Sequence, residues 1–210
     1  MSIHSEIVLA LADCSIDYHP FTHFTWKNIF SDQNYQDLLG ALPNSAEYEQ
    51  FYHQDSTYDN KAHRLRYTLS EKSSPILSAL FSSLSSEEVK HIIYELLSIK
   101  TEEGIPKVLL YRDVQGYKIS PHTDSRKIAT VQIYLPKEEI PDVGTQFLFN
   151  NKAEQRFDVV KKMRFAPNSG YAFAVSQNSW HSVDCVYNDV VRDSLMLIYY
   201  TEAGIKKAFK

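Results

Sequence analysis

Cysteine is scarce in this chain, and so are long runs of any one character. Only two cysteines occur among 210 residues, Cys14 and Cys185, far apart in sequence. Two thiols in a chain of this size do not make a disulfide framework, and they point to a reduced, cytoplasmic setting. No apolar span approaches the ~20 residues that cross a bilayer. Residues 1–11 contain Glu6 and lack the basic-then-apolar order of a signal peptide. A long basic run is missing as well. With 22 Lys and Arg against 26 Asp and Glu, the net charge is −4, which argues against nucleic acid as the main partner. What remains is ordinary for a soluble globular protein: 43% hydrophobic and 23% charged residues, and length for one domain, 1–210, with a full core.

The pattern changes near Gly104. Before it, the expected elements are mostly helices. The sequence leaves residues 7–12 open between strand and helix, and residues 19–30, rich in aromatics, read as extended. Ser31 is a candidate N-cap, with Phe30 and Tyr35 spaced for a hydrophobic staple. Tyr35, Leu38, Leu39 and Leu42 follow helical spacing until Pro43. Residues 44–60 are polar and without a period, and residues 63–69 alternate like a strand. Ser74-Pro75 opens a helix with Ile76, Leu77, Leu80, Phe81 and Leu84 on one face. Ser85-Ser86-Glu87-Glu88 resembles the capping box of a second, with Val89, Ile92, Ile93, Leu96 and Leu97. After Gly104 come eight short β-rich runs: 107–111, 116–120, 128–135, 146–149, 157–165, 171–175, 181–187 and 192–201. Eight such runs predict an all-β sandwich or barrel over 105–202, supported by an N-terminal helical and irregular region, 1–104. The fold class is therefore mainly β with flanking helices. The helices need the sheet to bury their apolar faces.

Chemistry concentrates in the second half. In Ser120-Pro121-His122-Thr123-Asp124 an imidazole and a carboxylate stand two residues apart. On an extended segment, which Pro121 favours, they project to one side. His181, in Asn178-Ser179-Trp180-His181, is the candidate third metal ligand. Two histidines and one carboxylate with open positions suit non-haem Fe(II) oxygen chemistry. Arg192 heads the apolar run 195–200, and on a strand Arg192 and Ser194 share a face. A guanidinium beside a hydroxyl is what a buried carboxylate ligand requires. On the strand 128–135, Thr130, Gln132 and Tyr134 form a polar face suited to lining a cavity. Tyr134 would then share the carboxylate with Arg192. The apolar face, Ala129, Val131, Ile133 and Leu135, would pack beneath the helices.

Taken together, His122-x-Asp124, His181 and Arg192-x-Ser194 resemble the Fe(II)/2-oxoglutarate-dependent dioxygenases. The segments Ala129–Leu135, Gly144-Thr145-Gln146-Phe147 and Pro167-Asn168-Ser169-Gly170 are similar to the prolyl-hydroxylase-like branch. The resemblance covers residues 107–201. It implies a double-stranded β-helix, or jelly roll, with iron on His122, Asp124 and His181. It also implies 2-oxoglutarate held by Arg192 with Ser194 and Tyr134, O2 as co-reactant, release of succinate and CO2, and hydroxylation of a substrate C–H bond. Asp124 fits a hydroxylase, since the halogenating branch has a small residue there. The chain departs from the collagen-type prolyl hydroxylases, which use lysine for the cosubstrate carboxylate. It also carries Asp113 where a tyrosine is expected, flanked by Tyr111 and Tyr117. Prolyl specificity does not follow.

Each residue also has a plainer role. His122 and Asp124 make sense as a hydrogen-bonded pair at a strand end, Arg192 as a surface ion pair with Asp189 or Asp193, and Tyr134 as a core tyrosine. Trp180 reads as packing and Cys185 as a small buried apolar residue. Arg64 and Arg66 are candidates for gripping an anionic substrate at the barrel mouth, against the plainer reading of a solvated edge strand. The other six histidines show no spacing for a second metal. Two further functions compete with the oxygenase: a cupin-type non-oxidative metal enzyme on the same barrel, and a catalytically silent jelly-roll interaction module. The substrate, small-molecule or peptidyl, has no readable code; the irregular stretches 44–70 and 136–145 are the places where it would be chosen.

Overall fold

The structure is a computed structural model that describes residues 1–51, 62–187 and 189–208, the side chains of 207 and 208 excepted. The chain opens with a helix, α1 (Ile3–Ala12), then two short strands, β1 (Ser15–Asp17) and β2 (His23–Lys27). Helix α2 (Asp32–Gly40), β3 (Glu49–Gln50) and β4 (Arg64–Thr68) follow, then helices α3 (Pro75–Leu84) and α4 (Glu87–Leu96). The rest is nearly all strand: β5 (Ile105–Asp113), β6 (Ile119–His122), β7 (Lys127–Tyr134) and β8 (Thr145–Asn151). After them come β9 (Arg156–Lys162), β10 (Ser169–Ala174), β11 (His181–Val183) and β12 (Arg192–Tyr200), with a last helix α5 (Glu202–Ala208).

The strands form two antiparallel sheets facing each other as a jelly roll. The larger has the order β1-β2-β10-β7-β12-β5-β4-β3 and the smaller β6-β11-β8-β9. Both strand-like stretches before residue 104 belong to the larger sheet, and β1 and β3 extend it further. The expectation of an irregular N-terminal support thus understated its strand content. The reason is length: strands of two and three residues leave too little alternation to read.

Local chemistry accounts for the helix starts. Ser31 Oγ accepts from Asn34 N at 3.4 Å, and Ser86 Oγ from Val89 N at 3.2 Å. The open stretch 7–12 is helical, capped by Ser2, whose Oγ accepts from Ser5 N. Glu6 docks that helix on the next, its carboxylate accepting from Ser31 N and Asn34 Nδ2. Phe30 and Tyr35 are buried in one core, as the staple spacing predicts.

The larger sheet separates two environments. Its outer face carries Ala129, Val131 and Ile133 of β7 and Leu195 and Leu197 of β12, packed with Leu80, Leu84, Val89 and Ile93 of the helices. Each such fully buried Val, Leu or Ile side chain contributes about 1.5–3 kcal/mol. The inner face meets the smaller sheet: Phe147 of β8 packs on Tyr171 and Phe173 of β10, ring centroids 5.2 and 5.8 Å apart. Trp180 packs against Phe157 at 4.8 Å. Cys185 is exposed, which corrects the expectation that it is buried: β11 ends at Val183, so it lies on a loop rather than a strand. Both thiols are free. Of the stretch 44–70, expected to take part in choosing the substrate, residues 52–61 lie outside the described residues. Among the described residues no helix is long and apolar enough to cross a membrane.

Candidate active site

His122 ends β6 and His181 begins β11, and the two residues are register partners in the smaller sheet. Pairing puts their rings 4.2 Å apart between centroids. Asp124 lies just beyond β6. One ligand atom from each of His122, Asp124 and His181 lies within 4.8 Å of the other two. The extended segment expected from Pro121 is therefore present, and a pairing between distant strands brings in the third member.

Both imidazoles are oriented locally. His122 Nδ1 lies 3.0 Å from Ser120 O and His181 Nδ1 lies 2.9 Å from Ser179 O. A carbonyl only accepts, so Nδ1 carries the proton in each ring and Nε2 is the basic nitrogen. Fixing the tautomer in this way is what a metal-ligating histidine requires. Burial pushes the His181 imidazole down to about 4, against the opposing pull of Asp124, so the ring is neutral at pH 7. Although burial opposes ionisation of Asp124, Lys127 and the two histidines hold its carboxyl well below the usual carboxylate range. Lys127 Nζ donates to Asp124 Oδ1 at 2.7 Å and Thr130 Oγ1 donates to Oδ2 at 2.9 Å. Two imidazoles with Nε2 free of the backbone contact and one anionic carboxylate in this arrangement fit a divalent metal with open coordination positions.

The triad borders a cavity of about 400 Å3 that runs between the sheets. Arg192, fully buried, also lines it. Among the described residues three of its five N–H groups are used: Nε donates to Val143 O (2.7 Å), Nη1 to Asp113 Oδ2 (2.7 Å) and Nη2 to Thr145 Oγ1 (3.1 Å). The remaining two, one on each terminal nitrogen, suit a second carboxylate. Arg192 is no surface ion-pair residue, since Asp193 is taken by Arg112 instead. Gly144 lets this wall close up: a Cβ there would run into Met163 O, and its neighbours Val143 and Thr145 are two of the three residues that hold Arg192.

The polar face expected on β7 is present, but its members stand at different depths. Thr130 and Gln132 line the cavity. The Tyr134 hydroxyl accepts from Thr145 N (3.0 Å) and donates to Thr145 Oγ1 (3.1 Å), and its ring lies under the Arg192 guanidinium at 5.4 Å. Ser194 Oγ accepts from Gln132 Nε2 at 2.9 Å. Tyr134 and Ser194 thus stand one contact behind the cavity wall. Tyr171, which the sequence reading passed over, holds the forward position, its hydroxyl on Gln132 Oε1 and, at 2.8 Å, on Thr145 Oγ1. No local signal marks it, because strand pairing alone sets it opposite Gln132.

Arg64 and Arg66 also line the cavity, in unlike settings. Arg66 Nη2 pairs with the exposed Glu49 at 3.1 Å and lies over the Phe51 ring. Arg64 is buried, ion-paired with Asp113 and placed between the rings of Tyr111 and Tyr117, 4.4 and 4.2 Å from their centroids. Asp113, noted in the sequence only as a missing tyrosine, therefore joins Arg64 to Arg192.

No protein-family model and no curated protein sequence matches this chain. Solved structures do match in fold. A Pseudomonas putida prolyl-4-hydroxylase aligns over 94% of this chain and 99% of its own at 12% identity, with a TM-score of 0.59. A Trichoplax adhaerens prolyl hydroxylase, solved with a peptide fragment of the hypoxia-inducible-factor oxygen degradation domain, covers 99% of this chain and 93% of its own at 15% identity and TM-score 0.57. An oxidoreductase of the 2OG-Fe(II) oxygenase family from Burkholderia pseudomallei covers 96% and 91% at 13% identity, TM-score 0.54. At these identities the likeness is one of fold.

Proposed function

We propose that this protein is an Fe(II)- and 2-oxoglutarate-dependent dioxygenase that hydroxylates a C–H bond of a small-molecule or peptidyl substrate. The observation that carries the proposal is one cavity with two distinct ends. One end holds two Nδ1-protonated histidines and a carboxylate; the other holds a buried guanidinium with two N–H groups to spare. A dicarboxylate with a chelating keto-acid head suits both ends at once. Bound iron and 2-oxoglutarate would supply the oxidation with O2, the cosubstrate leaving as succinate and CO2.

The chain's own residues do the rest. His122, Asp124 and His181 hold the metal, and their backbone-fixed tautomers orient Nε2 of each ring toward it. Arg192 binds the distal carboxylate in bidentate fashion. Tyr134 and Ser194 act one step back: Tyr134 sets Thr145, and Ser194 sets Gln132. Arg66, which lines the cavity beside Phe51, would meet an anionic group of the substrate, and Arg64 belongs with Asp113 and Arg192. Neither competing function has a use for the carboxylate end. Two free thiols suit a reducing compartment, and we place the protein in the cytoplasm.

The test is an anaerobic titration of Fe(II)-loaded protein with 2-oxoglutarate, following the visible charge-transfer band of the chelate. The band is expected in wild type, absent in His181→Ala, and shifted to far higher 2-oxoglutarate in Arg192→Ala. Iron bound without any band would overturn the oxygenase and favour a non-oxidative metal enzyme. No iron bound at all would favour the silent module.

A further inference from the structure

Arg64, Asp113 and Arg192 stand in one row across three neighbouring strands. Arg64 is the register partner of Asp113 between β4 and β5, and Arg192 is its partner between β12 and β5. Their side chains meet on the cavity side. Arg64 Nε and Nη2 donate to Oδ1 and Oδ2 of Asp113 at 2.5 and 2.8 Å, and Arg192 Nη1 donates to Oδ2 at 2.7 Å. Asp113 and Arg192 are fully buried and Arg64 is 8% exposed.

Arginine stays protonated in proteins. Arg192 with Asp113 alone would be a neutral pair, with no net charge to offer an incoming carboxylate. Arg64 restores it, so two guanidiniums on one carboxylate leave a net +1 at the inner end of the cavity. A carboxylate placed on the two remaining N–H groups of Arg192 would bring that cluster to neutrality. Burying an unbalanced charge is costly, and a matching one relieves the cost.

We propose that Arg64 is a positioning residue for the cosubstrate, supplying through Asp113 the positive charge that lets Arg192 bind the distal carboxylate, an inference that rests on the oxygenase reading. Strand β4, from the N-terminal region, is then part of the carboxylate site. The row also explains why Asp113 suits this chain where a tyrosine is expected: a neutral residue there would leave two buried like charges face to face.

The experiment measures equilibrium binding of 2-oxoglutarate by calorimetry with Mn(II) in place of iron, so that no turnover intervenes. Arg64→Gln is expected to weaken binding on the order of 30-fold, the scale of one unit charge at short range in a partly polarisable interior. Asp113 keeps its Arg192 partner in that variant. Arg64→Lys, which keeps the charge but loses the fork on Asp113 and the stacking between Tyr111 and Tyr117, should bind more tightly than Arg64→Gln and more weakly than wild type. The double variant Arg64→Gln/Asp113→Asn, which leaves Arg192 as the one charge, should regain most of the lost affinity. 2-Oxobutyrate, which chelates metal but has no distal carboxylate, should bind wild type and Arg64→Gln alike. Equal 2-oxoglutarate binding by wild type and Arg64→Gln would overturn the proposal while leaving the oxygenase standing. So would a double variant no better than Arg64→Gln, which would mean that packing and not charge had been lost. Wild type that binds Mn(II) but no 2-oxoglutarate would overturn the oxygenase reading and this inference with it.

Discussion

The two ends of the cavity are built in different ways. At the metal end each histidine is oriented by a carbonyl two residues earlier in its own chain, Ser120 O and Ser179 O, and Asp124 is held by Lys127 and Thr130 close by in sequence. At the carboxylate end Arg192 is held by residues far away in sequence, Val143, Thr145 and Asp113, and Asp113 by Arg64. At the first end each ligand is oriented locally, although the pairing of β6 with β11 brings His181 to His122. The second is buried and depends on the register of three neighbouring strands, β4, β5 and β12, and on the smaller sheet that faces them. A locally oriented site should lose ligand affinity when altered and leave the fold standing, whereas a register-built site should lose both.

The largest effect should come from breaking the row. Asp113→Ala leaves Arg64 and Arg192 buried without their carboxylate, and is expected to lower unfolding free energy by about 3–5 kcal/mol in urea denaturation. His122→Ala, at the half-buried local end, should cost about 1 kcal/mol or less in the same measurement. Equal losses would mean that the two ends do not differ as described. Next comes the wall that holds the guanidinium. Gly144→Ala would drive a Cβ into the Met163 carbonyl, at a cost of about 1–3 kcal/mol for overpacking. The expected signature is a lowered thermal midpoint together with weaker 2-oxoglutarate binding and unchanged Mn(II) binding. The smallest change sharpens the metal end. Lys127 places a cation on Asp124, so Lys127→Met should tighten Mn(II) binding by roughly tenfold or less, read by competition with a chelator, while the metal-free protein loses some stability with its ion pair. Weaker binding in that variant would show that Lys127 orients Asp124 for the metal and does not compete with it.

The His122 and Asp124 half of the metal end was legible in sequence because its information is local. A two-residue spacing in an extended segment puts His122 and Asp124 on one side, and the proline before them favours that conformation. The two faces of β7 and β12 were legible for the same reason, since alternation alone separates Val131 and Leu195 from Gln132 and Arg192. Tyr134 and Ser194 fell on the right face, but their depth was not legible. Whether a hydroxyl reaches the cavity or stops behind a neighbour depends on what the adjacent strand supplies, here Thr145 and Gln132. Cys185 was misread because the end of a strand is less marked than its middle.

The sequence by itself determined the alternation of the strands, the helix starts at Ser31, Ser74 and Ser86, and the set of groups able to bind a metal and a carboxylate. Only the tertiary structure decided which distant residues became neighbours: His181 beside His122, Tyr171 beside Gln132, Arg64 and Arg192 on either side of Asp113. The physical reason is that periodicity specifies a face, while register between strands far apart in the chain comes from the packing of the whole sheet. The charge balance at the inner end of the cavity belongs to that second kind of information.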